Sequence, residues 1–417
     1  MAKRRQAPRR ITRRQFVKGA AAGAVGVAAT GGLAGCAVTT PVAPTATVGA
    51  APSPSPGPAV SEQYSFEVPP PPIAEGEIKQ TETADVVVLG AGNAGLAATV
   101  SAMEAGAKTI LLQKVETISG AGGFTGMVGS RLQKALNIRI DRDLLVAELM
   151  QWGTFRNDQS VVTLWADRSG EVMDWIMDMV EEEWPDLTVV LEWDVKDGFY
   201  RAFPISHQIV SKPGVETTGM GPSVRDILLK KAEDLGADIR YSTPAVQLVR
   251  PDNTGRVTGV IAQNADGEYL QFNATKGVIV CTGGYAQDIE MLQAYCPRAL
   301  YAALDQPMTQ GVTGDGIKMG MWIGAGIDDL PHAPMNFDVG LPTDGVGYPW
   351  TGDRGMEGFS ILRQAWLRVN LYGERFVNED QPYQYNLNAV AQQPGKMWWG
   401  VWDSNWREHV KAMHTTG

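Results

Sequence analysis

One feature constrains this chain more than any other. A valine-rich apolar run, ADVVVL at 84–89, passes directly into Gly90-Ala91-Gly92-Asn93-Ala94-Gly95. A short β-branched run without polar alternation reads as a strand buried on both faces. Beyond the glycines, the pattern predicts a helix from about Ala94 to Ala105, and TILLQK at 109–114 predicts a second strand. The order strand, G-x-G-x-x-G, helix, strand is the setting in which this glycine spacing grips the diphosphate of a dinucleotide. Gly90 permits the tight turn, Gly92 admits backbone to the pyrophosphate, and Gly95 lets helix and strand pack closely. The helix N-terminus adds unpaired N–H groups and a partial positive charge. The second strand usually ends in Asp or Glu to take the ribose hydroxyls; here it ends in Gln113 and Lys114. An amide can still donate and accept, but without a charge-assisted bond.

The chain ahead of this unit is of another kind. Residues 1–35 carry Lys3, Arg4, Arg5, Arg9, Arg10, Arg13, Arg14 and Lys18 and no acidic residue. TRRQFVK at 12–18 resembles the twin-arginine export signal. The following run, GAAAGAVGVAATGGL, is too short and too rich in Gly and Ala for a membrane span. Leu33-Ala34-Gly35-Cys36 resembles a bacterial lipoprotein processing box, which implies a lipidated Cys36; cleavage nearby with Cys36 unmodified is the alternative. Ten of the 25 prolines fall in 37–80, a composition that cannot bury a core. The expected layout is a signal at 1–35, a Pro-rich tether without fixed structure at 36–80, and a body held by Cys36 on the outer side of the cytoplasmic membrane. Twin-arginine export carries folded proteins, which suits a chain that must first collect a cytoplasmic cofactor.

Charge and cysteine content exclude other classes. Without the eight basic residues of the signal, the 36 Lys and Arg fall to 28 against 46 Asp and Glu. A body this acidic is a poor partner for nucleic acid. Cys36, Cys281 and Cys296 have no metal-ligand or haem-attachment spacing, and the four histidines include no H-E-x-x-H. No metal is expected, and Cys281, in an apolar run, reads as packing. Val161, Leu164, Trp165, Val172, Trp175, Ile176 and Met179 recur at roughly helical spacing, which predicts core-facing helices around 141–153 and 158–180.

A flavin is favoured over a nicotinamide by the stretch after Lys114. VETISGAGGFTGMVGS at 115–130 is a glycine-rich loop placed to line a flavin, with Gly120, Ala121, Gly122, Thr125 and Gly126 as candidate contacts. Residues 255–284 predict a three-strand meander, turning at Asp266-Gly267, that feeds an apolar strand into Thr282-Gly283-Gly284. This recurrence resembles the FAD-dependent fumarate reductase and succinate dehydrogenase flavoprotein family, in which the T-G-G segment closes on the cofactor. GVTGDGIKMGMWIGAG at 311–326 is similar to that family's T-G-D-G segment, which implies Asp315 near the isoalloxazine. VNLYGERFVNE at 369–379 is similar to the turn that opens its capping domain. These four motifs stand in the family's order across about 84–405. The resemblance implies an α/β fold: a Rossmann-like FAD-binding domain with a β-meander at 81–328, and an incomplete α+β capping domain at 329–417. It implies FAD as cofactor, held by residues 90–95, Gln113, Lys114, the 120–126 loop, Val246, Thr282, Gly283, Gly284 and Asp315. In the family the chain returns after the cap to complete the FAD domain. No second glycine-rich segment precedes Gly417, so the expectation is a C-terminally truncated chain that binds FAD weakly.

The resemblance also implies a chemistry. Family members move a hydride between flavin and a carbon next to an activating carbonyl, while a protein acid handles the matching proton. In dicarboxylate reductases that acid is an arginine shortly after R-F-x-N-E. Here the run from Arg375 and Glu379 reaches Tyr383 at that place, and no arginine follows until Arg407. The N-E-x-x-P-Y pattern resembles flavin 3-ketosteroid dehydrogenases, which implies Tyr383 as acid or donor to an enone oxygen, with Arg375 and Glu379 as catalytic neighbours; a packed cap residue is the alternative. LPHAPMNF, containing His332, reads as the substrate-facing start of the cap. A small dianion needs several cations to repay its desolvation, and only Arg354, Arg363, Arg368 and Arg375 are at hand. Trp350, Trp366, Trp398, Trp399, Trp402 and Trp406 make the cap aromatic. The expected substrate is therefore an enone or a bulky unsaturated acid rather than fumarate. Without a haem or FMN attachment motif, electrons are expected from a separate transfer partner. Rival readings are a substrate-free electron-carrier lipoprotein, an inactive fragment, or a binding lipoprotein that uses the nucleotide fold as scaffold.

Overall fold

The apolar run at 84–89 is the inner end of a longer strand, β1 (Ile78–Leu89). Val87, Val88 and Leu89 are buried, as a strand covered on both faces requires. α1 (Asn93–Glu104) and β2 (Thr109–Leu112) follow, with β2 parallel to β1. These elements come from a computed structural model that describes residues 64–118, 125–191, 201, 203–215, 222–301, 311–333, 364–379, 381, 383–410 and 413. The expected signal at 1–35, the expected tether up to residue 63, Gly120, Ala121, Gly122, Trp350, Arg354, Arg363 and the side chain of Tyr383 lie outside the described residues.

Next come β3 (Thr125–Gly126), α2 (Arg131–Ala135), α3 (Arg142–Trp152), α4 (Gln159–Glu183), β4 (Leu187–Leu191), β5 (Ser206–Ser211), α5 (Val224–Asp234) and β6 (Asp238–Arg240). The meander is β7 (Ala245–Val249), β8 (Gly259–Gln263) and β9 (Tyr269–Val280). It begins ten residues earlier than the 255 expected from sequence, because its first strand precedes the Pro251 turn. The predicted reversal at Asp266-Gly267 is present: Asn264 Oδ1 accepts from the N–H groups of Asp266 and Glu268, and Gly267 takes φ 82°. The six-stranded sheet runs β6-β2-β1-β9-β8-β7. β6, β2, β1 and β9 are parallel, and β8 and β7 turn back antiparallel. This is the α/β architecture the sequence implied.

Two apolar layers hold the sheet. On one face Val88 and Leu111 pack against Leu96 and Val100 of α1, Met173 and Ile176 of α4, and Ile227 and Leu228 of α5. On the other, Val87 and Leu89 join Val260 and Phe272 of the meander and Met319 of the helix at 315–322. Each such side chain contributes roughly 1.5–3 kcal/mol on burial. The stripe on α4 is less uniform than expected. Ile176 and Met179 are buried, but Val161, Leu164 and Val172 are 62%, 61% and 42% exposed. The first half of this 25-residue helix meets mainly α3, through Val146, Met150 and Ala166, so its outer apolar positions face water.

The last part of the expected tether also departs from the sequence reading. Residues 64–80 are part of the fold, with Phe66 only 4% exposed and Ile78 already paired to Tyr269. An apolar anchor and a strand edge order a stretch that proline content alone marks as extended.

α6 (Ile289–Tyr295) and α7 (Asp315–Trp322) follow the meander. In the cap segment, β10 (Leu367–Val369) and β11 (Trp399–Val401) form a small antiparallel pair, with α8 (Tyr383–Val390) between them in sequence. The segments expected as separate domains, 81–328 and 329–417, fall in one unit, Glu62–Gly417. Among the described residues, no helix is long and apolar enough to cross a membrane.

Candidate cofactor cleft

At the carboxyl ends of β1, β2 and β9 lies a cavity of ≈ 270 Å³. In open α/β sheets this is where ligands sit. Its wall is the loop Gly90–Ala94, the stretch Leu112–Val115, Ala245, Cys281–Gly283, Gly311, Val312 and Asp315.

The glycines make the wall possible. Gly90 has φ +96°, and a Cβ there would lie 2.5 Å from the Cys281 carbonyl oxygen. A Cβ on Gly95 would lie 1.8 Å from the Gly90 carbonyl oxygen, so α1 and β1 can approach only without it. Gly92 is the N-cap of α1, with φ −81° and ψ −175°, and has no side chain to take the first-turn N–H groups. Those donors and the helix dipole stand at the edge of the cleft, where an anionic diphosphate fits. The strand ends are knitted by Gly90 N donating to Leu112 O and Cys281 N to Leu89 O, each at 2.8 Å.

Gln113 lines the cleft, and its amide is held at both ends by backbone. It is 6% exposed; its Oε1 accepts from Ala91 N at 3.0 Å and its Nε2 donates to Thr117 O at 2.8 Å. Both ends of the amide thus fasten the phosphate loop to the segment after β2, a role the ribose expectation did not foresee. Lys114 reaches across the cleft margin, with Nζ 2.6 Å from Thr313 Oγ1 and 2.8 Å from Asp315 Oδ2. Asp315 opens α7, where a carboxylate meets the positive end of the helix dipole, and Thr313 Oγ1 donates to its Oδ1 at 2.7 Å. Thr282 Oγ1 accepts from Gly316 N at 3.1 Å, which ties the T-G-G segment to the T-G-D-G helix. Burial pushes the Cys281 thiol up, so it stays protonated and serves as packing.

Other expected contacts fall elsewhere. Thr125 and Gly126 form β3, paired to His207 and Ser206 in a separate three-stranded sheet, and Gly126 O accepts from Trp165 Nε1 at 3.0 Å. Ala245, not Val246, lines the cleft, beside a register shift in the β7–β8 pair. Gly284 stands just outside and accepts from Gly314 N at 3.0 Å. Sequence reading missed Thr313, Val115, Gly311 and Ala245. The T-G-D-G motif contained Thr313, but nothing in the chain pointed to Ala245, which arrives by the return of the meander.

The catalytic candidates are placed differently again. Arg375 Nε donates to Glu379 Oε1 at 2.9 Å, and that carboxylate also accepts from Arg368 N at 3.3 Å. Burial pushes the Glu379 carboxyl up, but Arg375 and backbone N–H donors outweigh it and hold it below the usual range. Arg375 and Glu379 are paired with each other, tie the 368–379 turn together, and stand apart from the lining of the cleft. Tyr383 opens α8. His332 sits among aromatic rings: Tyr285 OH lies 2.5 Å from its Nδ1, and Tyr295 is 5.6 Å away, centroid to centroid. Arg368 is buried, with its guanidinium 4.4 Å from the Trp398 ring, and Trp366 is buried against Trp402. Among the described residues, no three His, Cys, Asp or Glu side chains cluster to hold a metal.

A parallel sheet with a glycine-cradled diphosphate site at its switch edge defines a dinucleotide-binding flavoprotein fold. The chain belongs to the FAD binding domain family, whose profile matches residues 85–397. Its cofactor is FAD, and the cradle fits it: bare first-turn donors, positions where any Cβ would collide, and a polar rim. A fumarate reductase (cytochrome) of Shewanella frigidimarina is 27% identical, over 80% of this chain and 54% of its own. A vinyl phenol reductase of Lactiplantibacillus plantarum is 28% identical, over 74% of this chain and 59% of its own. The open conformation of a flavocytochrome c3 fumarate reductase superposes with a TM-score of 0.59 at 26% identity, covering 80% of this chain and 55% of the other. The chain thus spans about half the length of the curated relatives it matches.

Proposed function

We propose that this chain is the flavin-bearing part of an oxidoreductase that passes hydride between FAD and a carbon–carbon double bond conjugated to a carbonyl. The cleft at the ends of β1, β2 and β9 carries the proposal, because it is built for the diphosphate of FAD and closed at its rim by Lys114 and Asp315. When bound, the flavin supplies the hydride chemistry. Gly90–Gly95 and the α1 N-terminus would hold its diphosphate, and Thr282, Gly283 and Asp315 would bound it on the other side. Relatives named for reduction of fumarate, vinyl phenol, urocanate and acrylate support a conjugated C=C bond as the reacting group.

We assign the proton, or the hydrogen bond to the carbonyl oxygen, to Tyr383, since Arg375 and Glu379 satisfy each other. A tyrosine at this place and an aromatic cap favour a neutral or bulky enone or unsaturated acid over fumarate, whose two carboxylates need more cations than this region offers. Electrons come from a separate partner. The test is to load the protein with FAD, reduce it chemically, and follow reoxidation by a panel of enones, aryl-substituted unsaturated acids and fumarate. Enones or aryl acids should reoxidise the flavin, and Tyr383→Phe should slow this about 10²–10⁴-fold. Reoxidation by fumarate alone would overturn the substrate reading, and rapid reduction by NADH alone would overturn the partner reading.

Export as a lipoprotein held by Cys36 on the outer side of the cytoplasmic membrane is part of the same proposal. It rests on Arg13-Arg14 and Leu33–Cys36. Incorporation of labelled fatty acid that disappears in Cys36→Ala is the expected result; equal labelling of both proteins would refute it.

A further inference from the structure

The stretch expected to be slack tether instead reaches the cofactor cleft through a continuous set of contacts. Phe66 is buried, stacked on Tyr64 at 5.4 Å and set edge-on to Tyr295 of α6 at 5.2 Å. Ile317 and Met321, four residues apart on α7, pack against the same cluster, so one face of α7 is occupied by this segment. Trp322 Nε1 donates to Phe66 O at 2.8 Å, and Ser65 N donates to Glu290 Oε1 of α6 at 2.7 Å. The segment therefore bridges both helices.

The bridged helices carry the cleft rim. Met291 of α6 packs on Gly314, where a Cβ would lie 2.5 Å from its Sδ. Gly314 immediately precedes Asp315, the partner of Lys114. Lys318 of α7 holds Asp288 at 2.6 Å, and Asp288 caps α6 by accepting from Met291 N. On the other side of the cluster Tyr295 and Tyr285 flank His332, and His332 N donates to Tyr295 O at 2.7 Å. One wedge thus sits behind both the rim of the cofactor cleft and the first residues of the cap.

We propose that residues 64–68 are a positioning strap for the FAD site. Phe66, wedged between α6 and α7, holds Asp315 against Lys114 and Tyr285 against His332. Residues from the expected tether are in this view part of the cofactor-binding machinery, and a body trimmed to begin at residue 81 binds FAD poorly.

The test uses the full chain reconstituted with FAD. Phe66→Ala is compared with Phe66→Leu, which keeps an apolar wedge, and with Val161→Ala, an exposed residue of α4 outside the strap. Affinity is read from quenching of flavin fluorescence, the site environment from the visible flavin spectrum, and order from hydrogen exchange across 311–322. Phe66→Ala should weaken FAD about tenfold, the equivalent of losing one well-packed contact, while Phe66→Leu and Val161→Ala stay near wild type. It should also shift the flavin spectrum and speed exchange at 311–322. If Phe66→Ala lowers the thermal midpoint but leaves affinity, spectrum and exchange unchanged, the strap is merely structural and the proposal is overturned. Should that variant fail to fold, Trp322→Phe removes the bond to Phe66 O and trims the ring; exchange is then read at 311–316, away from residue 322, where faster exchange supports the strap and unchanged exchange overturns it. A wild-type chain that takes up no FAD would count against its cofactor binding, and the exchange comparison in the flavin-free protein would still decide the strap.

Discussion

The cofactor cleft and the cap turn solve the same problem in opposite ways. Around the cleft, backbone does the recognising: Gly90, Gly92 and Gly95 clear space, and helix N–H groups remain for the ligand. The nearby side chains of Gln113, Lys114 and Asp315 bind protein, which fixes the shape of the cradle. In the cap turn, side chains are the main content, yet those of Arg375 and Glu379 are spent on each other, while Trp399 and Trp402 stay exposed. A backbone site tolerates almost no change in shape, whereas a side-chain site can be rewritten residue by residue. The family can therefore keep one cofactor and vary its substrates.

That contrast can be broken first at Gly95. Gly95→Ala places a methyl group 1.8 Å from Gly90 O, inside backbone that cannot yield. It should cost about 3 kcal/mol in chemical denaturation and abolish FAD binding. A stable variant that still turns yellow with FAD would mean the cradle is more pliant than described. Gln113→Leu comes next. It leaves Ala91 N without its partner in a buried site, while the exposed Thr117 can turn its O to water, and should destabilise the protein by about 1–2 kcal/mol. Unchanged stability with weakened FAD binding would restore Gln113 to the ribose role.

The third effect depends on pH. His207 Nδ1 donates to Ile205 O and Nε2 accepts from Ser130 Oγ, and burial pushes its pKa down. The neutral ring is the one the fold holds, so its contribution is complete above the unfolded pKa of about 6.5 and is lost as pH falls toward the folded value. Urea midpoints should therefore decline below about pH 6.5, and His207→Phe should flatten that part of the profile. Asp315→Asn, at a half-exposed pair, should lower stability by only about 0.5 kcal/mol. Arg375→Ala removes the exposed partner of the nearly buried Glu379 carboxylate and should lower the denaturation midpoint only slightly; a clear loss of substrate-driven flavin reoxidation would return Arg375 to the catalytic site.

The parts legible in sequence were those with a local physical cause. A β-branched run gives β1, the glycine spacing gives the turn, and Asp266-Gly267 gives the reversal of the meander. Each depends on residues within a few positions of one another. The parts missed depend on distant chain. Proline content marked 64–80 as slack because nothing local shows that Phe66 will find Tyr295 and Met291. The stripe on α4 was right in period but not in reach, since periodicity does not say where the sheet beneath a helix ends. That Ala245 lines the cleft beside Val246 was not legible, because the register of β7 is set by β8.

The amino-acid sequence alone therefore determined the cofactor grip. Its demands are steric and short-range: a turn that excludes Cβ, a helix start without a side-chain cap, a strand buried on both faces. Only the tertiary structure decided how the remaining polar groups are used. Whether Gln113 faces a ribose or a backbone amide, whether Glu379 is an acid or an ion-pair partner, and whether residues 64–68 hang free or brace α6 and α7 depend on neighbours brought from far along the chain. Hydrogen bonds and ion pairs act over a few ångströms, so the same side chain has no fixed role until the fold supplies its partner.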